Sequence, residues 1–432
     1  MNRRIYLIPA LLSIVIFAVS VYRGTLFLEK RPTDPVSEGL IVREAGSIVA
    51  GKHSYGIVDY THYPNGPTYM ILLPLKLKMS TVRSLRVVPL YISALGIAVL
   101  FYGLTARVRS LPIIGITFAA CLSLLWQPSV VEWMGALYGH GYHTAFIFAG
   151  IGLSLIPGLS PWVLGILGFI SGWFQYDMIF CFVFSIFMCR WFLRSGKGTS
   201  IWRQARKAVI DSTIVCVGIF LAIIAHLIQN ALALGGIREA FNDLIGSAAA
   251  RAGMQVAEQL NPEYLKSLGR EGVGSRAPVR KLTKDLHESF ITDSWSNPEL
   301  AVYMFAAVAL LVVIGLAMRW RSFSIAASGR LLVTLIVVGC ASIAAGVSWY
   351  IAMPNHTVYH FHFIQRHFLF SYCLAWVALQ RLCVALFEAP LLTAQVVADR
   401  RYEQPELGID VEGEFQSLPD APQIVTTDGA HL

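Results

Sequence analysis

Charge is what this chain has least of. Asp, Glu, Lys and Arg make up 14% of its 432 residues, against 56% hydrophobic residues. A soluble domain of this length carries about twice that share of charge. Water-soluble classes are therefore excluded, and an all-α polytopic membrane protein is predicted. Motif-forming cysteines are missing too. Cys121, Cys181, Cys189, Cys216, Cys340, Cys373 and Cys383 all lie in or beside apolar segments, with no CxxC pair among them. They read as small hydrophobes, which excludes a disulfide framework and a thiolate metal site. No basic patch is interleaved with aromatics, so the net charge of +8 is assigned to loops facing anionic lipid and not to nucleic acid. No internal repeat marks a transporter built from two halves. No small-x-small cleavage site follows the apolar run Ile5 to Tyr22, which reads as an uncleaved anchor.

What the chain does have is about ten apolar runs of spanning character, near 5–22, 86–104, 111–126, 143–157, 161–173, 176–193, 210–232, 300–318, 331–351 and 366–387. The stretch 69–78 is too short to span and is placed at the interface. Orientation follows from the loop 190–209, which holds Arg190, Arg194, Lys197, Arg203, Arg206 and Lys207 and no acid. Placing it inside puts both termini in the cytoplasm and four loops outside: 23–85, 127–142, 233–299 and 352–365. Residues 1–390 then form the membrane domain. The acidic tail 391–432 lacks apolar periodicity and is expected to be disordered in the cytoplasm. The membrane expected is a bacterial inner membrane.

The first outer loop carries the most chemistry. Asp34-Pro35 suits a helix start, with Asp as N-cap and Pro at the first helical position. Ile41, Ala45, Ile48 and Val49 recur at helical spacing and Gly51 is a natural stop, so residues 35–50 read as an amphipathic helix along the membrane surface. Glu38 sits one turn in, where the positive end of the helix dipole favours its ionised form. A carboxylate held there can accept a proton from an acceptor hydroxyl, although an acid in a first turn also serves simply to complement the dipole. Asp34 competes for the catalytic role, and Glu44 and Asp59 are further candidates. Lys52 suits either a phosphate contact or an interfacial anchor.

Along this loop Glu38 is followed by Ala45-Gly46-Ser47-Ile48-Val49-Ala50-Gly51, then Asp59-Tyr60, then Tyr63-Pro64-Asn65-Gly66-Pro67. That succession resembles the first extracytoplasmic loop of membrane glycosyltransferases of the GT-C fold, of the kind represented by the dolichyl-phosphate-mannose mannosyltransferases of family 39. The resemblance implies inverting transfer of a sugar from a polyprenyl-phosphate donor to a glycan, lipid or protein acceptor outside the cytoplasm, with Glu38 as general base. It implies substrate contacts from Lys52, Asp59, Tyr60, Tyr63 and Asn65. Glu132, His140 and His143 of the second outer loop would line the same cavity.

The last outer loop, PNHTVYHFHFIQRHF, places His356, His360, His362 and His367 within twelve residues of one another. No acid or cysteine lies among them, so no metal or other cofactor is indicated, although a divalent ion would be chemically compatible. Anion capture fits better. Arg366 at the membrane edge needs a partner, and a lipid phosphate with His360 or His362 beside it would supply one. Gln175-Tyr176-Asp177 is expected at the outer end of the sixth span. The alternative function is a transporter or lipid flippase, with the histidine-rich loop and Asp177 forming a proton or substrate path.

Overall fold

The computed structural model describes residues 4–28, 35–52, 64–79, 81–106, 108–126, 128–156, 158–176, 179–194 and 201–252, with isolated positions between 347 and 380. Among them the fold is all helical. In chain order the helices are α1 (Arg4–Thr25), α2 (Pro35–Val49), α3 (Gly66–Met70), α4 (Leu72–Lys76), α5 (Val82–Leu85), α6 (Val87–Thr105), α7 (Leu111–Ser123), α8 (Pro128–Met134), α9 (Gly139–Leu155), α10 (Pro161–Phe174), α11 (Ile179–Arg194), α12 (Ile201–Leu234) and α13 (Ile237–Arg251). The stretches Leu7–Thr25, Val82–Thr105 and Trp202–Leu234 are long and apolar enough to cross a membrane, and four shorter apolar helices accompany them. On α12, Trp202, Val209, Ile210, Val217, Phe220, Leu221, Ile228 and Leu232 all point outward. A face of that length would be costly against water and fits lipid. The chain is thus membrane-associated. The last three expected spans lie outside the continuously described residues, as do residues 389–432.

Glycines set the direction of the bundle. A Cβ at Gly96 would stand 2.5 Å from the carbonyl oxygen of Ala145, and one at Gly103 would collide with Gly152. The paired positions rise together, so α6 and α9 run parallel in backbone contact, as small residues permit between membrane helices. Gly165, Gly168 and Gly172 meet Ile214, Val215 and Ile219 in the same sense, so α10 and α12 are also parallel. Short connections after α6, α9 and α10 make sequential neighbours antiparallel. At one end of the bundle the C-terminus of α1 meets the start of α6: Gly24 lies against Leu90, and Arg23 Nε reaches Leu125 O at 3.4 Å. The helices therefore alternate from α1 through α12.

That end carries a second layer. The short helices α2, α4, α5 and α8 and the turns beside them share a small apolar core of Ile41, Ala45, Ile71, Leu85, Trp133, Ala136, Leu137 and Tyr138. The expected surface helix 35–50 is α2. It stops at Gly51, whose φ of +75° favours glycine, with Lys52 N donating to Ser47 O at 2.9 Å and Gly51 N to Ile48 O at 3.0 Å. The interfacial stretch 69–78 falls in α3, α4 and the turn after them. The opposite end holds the basic turns. There Arg190 pairs with Asp211 at 3.5 Å and donates to Leu159 O at 3.0 Å, tying α10, α11 and α12 together.

Candidate functional site

The end layer brings two buried carboxylates together on α2. Glu38 and Glu44 flank Ile41 by about 60° each around the helix and stand about 9 Å apart along its axis. Ile41 faces the small core between them. The two acids consequently point at different partners, and their environments differ.

Glu38 is buried and ion-paired. Arg86, also buried at the entrance to α6, donates to Glu38 Oε2 from Nε at 3.1 Å and from a terminal nitrogen at 2.7 Å. Its other terminal nitrogen donates to Leu28 O at 2.9 Å. The backbone N–H of Leu137, in the turn between α8 and α9, donates to Glu38 Oε1 at 2.9 Å. One side chain thus ties α2 to the start of α6, and through it to the end of α1 and the α8–α9 turn. A hydroxyl approaching this carboxylate meets oxygens already engaged by N–H donors.

Glu44 is buried with no cation beside it among the described residues. Its Oε2 accepts from Thr68 Oγ1 at 3.1 Å, and Thr68 belongs to α3, which opens in the Pro64–Pro67 turn. Burial pushes the Glu44 carboxyl up to about 7, with the Thr68 hydrogen bond acting in the opposite direction.

From Thr68 the polar groups continue. Tyr69 accepts a hydrogen bond from Gln229 of α12 and lies edge-on to Trp173, with ring centroids 6.4 Å apart. Tyr176 Oη contacts His226 Nδ1 at 2.5 Å. Gly66 is what lets α3 sit here, since a Cβ would stand 2.6 Å from the Trp173 carbonyl oxygen. Tyr142 of α9 is fully buried against Phe174, and its hydroxyl has no hydrogen-bond partner among the described residues.

Of the residues singled out from sequence, Glu38 and Asn65 are buried in this layer and Lys52 stands exposed beyond the end of α2. Glu132 falls on α8, and His140 and His143 on the first turns of α9, at the same end of the bundle. Asp34, Asp59, Tyr60, Tyr63, Asp177, His360, His362 and Arg366 lie outside the described residues. Among the described residues no group of three or more metal-ligating side chains forms. Sequence reasoning missed Arg86, Thr68 and the Tyr176–His226 pair. Arg86 had a signal: like Arg366, it is a cation opening an apolar run and needs a partner.

No protein-family model, curated protein or solved structure matches the chain.

Proposed function

We propose that this chain is an integral membrane glycosyltransferase that moves a sugar from a polyprenyl-phosphate donor to an extracytoplasmic acceptor with inversion. The observation that carries the reading is the end layer itself. It holds two buried carboxylates on one helix, beneath a proline-rich turn, where the polar layer meets apolar helices. A donor with a prenyl tail in lipid and a phosphosugar at the boundary presents its reacting carbon at that level.

In the reaction the acceptor oxygen attacks the anomeric carbon and the carbon–oxygen bond to the phosphate breaks. The bonding pair leaves on the phosphate, and the acceptor's proton passes to a carboxylate. An acid of α2 supplies that carboxylate, Glu38 being the one the loop resemblance nominates and Asp34 its neighbour. Arg366, His360 and His362 are the groups proposed to hold the donor phosphate. The end layer faces outward, both termini lie in the cytoplasm, and a bacterial inner membrane is the location. The transporter reading rests on the histidine-rich loop and Asp177, which lie outside the described residues.

The test is transfer from a panel of radiolabelled polyprenyl-phosphate sugars in membranes containing the protein. Label should move to an acceptor fraction with wild type and fail to do so with the double variant Glu38→Gln/Glu44→Gln. Membranes rich in folded wild-type protein that transfer no sugar above an empty-vector control would refute the proposal.

A further inference from the structure

Resting on that transferase reading, we infer that the proton acceptor is Glu44, and that Glu38 with Arg86 is the strut that positions its helix. Geometry separates the two acids. Glu38 is spanned by a guanidinium on one oxygen and a backbone N–H on the other, both from elements of the bundle. An acceptor hydroxyl would compete there with Arg86, which ties α2 to the start of α6, or with the Leu137 N–H, which ties α2 to the α8–α9 turn. Glu44 holds only a neutral hydroxyl, Thr68 Oγ1, on Oε2. Its Oε1 has no hydrogen-bond partner among the described residues. An acceptor hydroxyl can therefore bind Oε1, or replace the Thr68 hydroxyl like for like, without breaking an ion pair.

Position supports the same division. Glu44 faces α3, and α3 leads through Tyr69 to Gln229 and Trp173. These are aromatic and amide groups, of the kind that stack on a sugar ring and hydrogen-bond its hydroxyls. Glu38 faces the packed junction of α1, α6 and the α8–α9 turn.

Among the described residues of the helices packed against it, no charged side chain stands beside Glu44. α3 carries one ionisable side chain, Tyr69, which is held by Gln229. On α4 the only ionisable group is Lys76, which is exposed. On α2 itself Glu38 is matched by Arg86, and Arg43 is exposed. Burial raises the Glu44 carboxyl to about 7, which places its proton-accepting range at neutral pH, where a general base is most effective. The acceptor O–H proton moves to Glu44 as the acceptor oxygen bonds to the anomeric carbon and the phosphate leaves with the bonding pair. Water then takes the proton and restores the carboxylate.

The experiment measures kcat/KM against pH for the full-length protein in membranes, using the donor that the wild type accepts. Wild type should lose rate below pH about 7, about tenfold per unit, because protonated Glu44 cannot accept. Glu44→Gln should lower turnover about a hundred- to ten-thousandfold and abolish that acid limb, and Glu44→Asp should recover part of the rate. Thr68→Val, which removes the hydrogen bond that favours the carboxylate, should move the limb to higher pH while the protein remains folded. Glu38→Gln should reduce the yield of folded protein and leave the limb where it is. If Glu44→Gln keeps the wild-type profile, or Glu38→Gln removes the limb instead, the inference is overturned while the transferase reading stands. Absence of transfer by wild type overturns that reading itself.

Discussion

Replacing Arg86 by methionine isolates the Glu38–Arg86 pair. Methionine keeps much of the apolar stem of arginine but removes the guanidinium. Glu38 then loses the donors at 2.7 and 3.1 Å on Oε2, and Leu28 O loses the donor at 2.9 Å. Both partners are almost fully buried, with side-chain exposures of 8% for Arg86 and 3% for Glu38, so water cannot replace what is lost. Removing one member of a buried pair costs about 3–5 kcal/mol, because the other is left uncompensated. Removing both charges is far cheaper, since the desolvation of each also disappears. The expected order of stability is therefore wild type, then Glu38→Gln/Arg86→Met close behind, then Glu38→Gln, with Arg86→Met lowest. Glu38→Gln ranks above Arg86→Met because Arg86 keeps its bond to Leu28 O and can still donate to the amide oxygen, whereas Arg86→Met takes the donor from both a buried carboxylate oxygen and Leu28 O. Thermal unfolding in detergent, followed with a thiol-reactive fluorophore after the exposed Cys216 is blocked, reads this order, because Cys121, Cys181, Cys189 and Cys373 are buried until the bundle opens. A loss in Arg86→Met below about 0.5 kcal/mol, the range of an ordinary surface substitution, would refute the reasoning. So would single-variant losses that simply add in the double variant.

Two further predictions concern the bundle and its orientation. Gly103→Val should give far less folded protein, because its Cβ meets the Gly152 backbone, which cannot yield as a side chain can, whereas Gly115→Ala, with open space around it, should be neutral; yield of monodisperse protein in detergent compares them, and equal yields would remove the close α6–α9 crossing. Cysteines introduced at Ile245 on α13 and Ser160 before α10 should label from opposite faces of intact cells, Ile245→Cys from outside with an impermeant maleimide and Ser160→Cys only after permeabilisation; the reverse pattern would invert the proposed orientation.

Much of the fold can be read from composition and period. Seven of the expected spans coincide with apolar helices, three of them in stretches long enough to cross a membrane, because an apolar run removed from water must satisfy its backbone hydrogen bonds internally. Boundaries shift where tertiary contacts extend a helix beyond its apolar run. The fourth span is expected from residue 143, yet α9 starts at Gly139, where the backbone abuts the end of α10 too closely for a side chain. α2 is legible for local reasons, since Pro35 and Gly51 fix its two ends whatever surrounds it. The parallel pairing of α6 with α9 and of α10 with α12 is not legible. It depends on glycines in separate segments meeting across space, and a single sequence gives no register between them.

The two acids of α2 show the same limit at finer scale. Sequence position favours Glu38, because a first-turn acid feels the helix dipole and the loop resemblance falls on it. What distinguishes Glu38 from Glu44 lies elsewhere in the chain: a guanidinium 48 residues downstream for one, a threonine hydroxyl 24 residues downstream for the other. The dipole argument treats both acids as solvated groups on a surface helix, whereas Glu38 is 2% exposed and Glu44 5%. Once both are buried, the identity of the partner outweighs position along the helix. A guanidinium consumes the carboxylate's capacity to accept a proton from substrate, and a hydroxyl preserves it. The same burial that makes Glu38, matched by Arg86, a firm anchor for the end layer is thus what gives Glu44 a proton affinity suited to neutral pH.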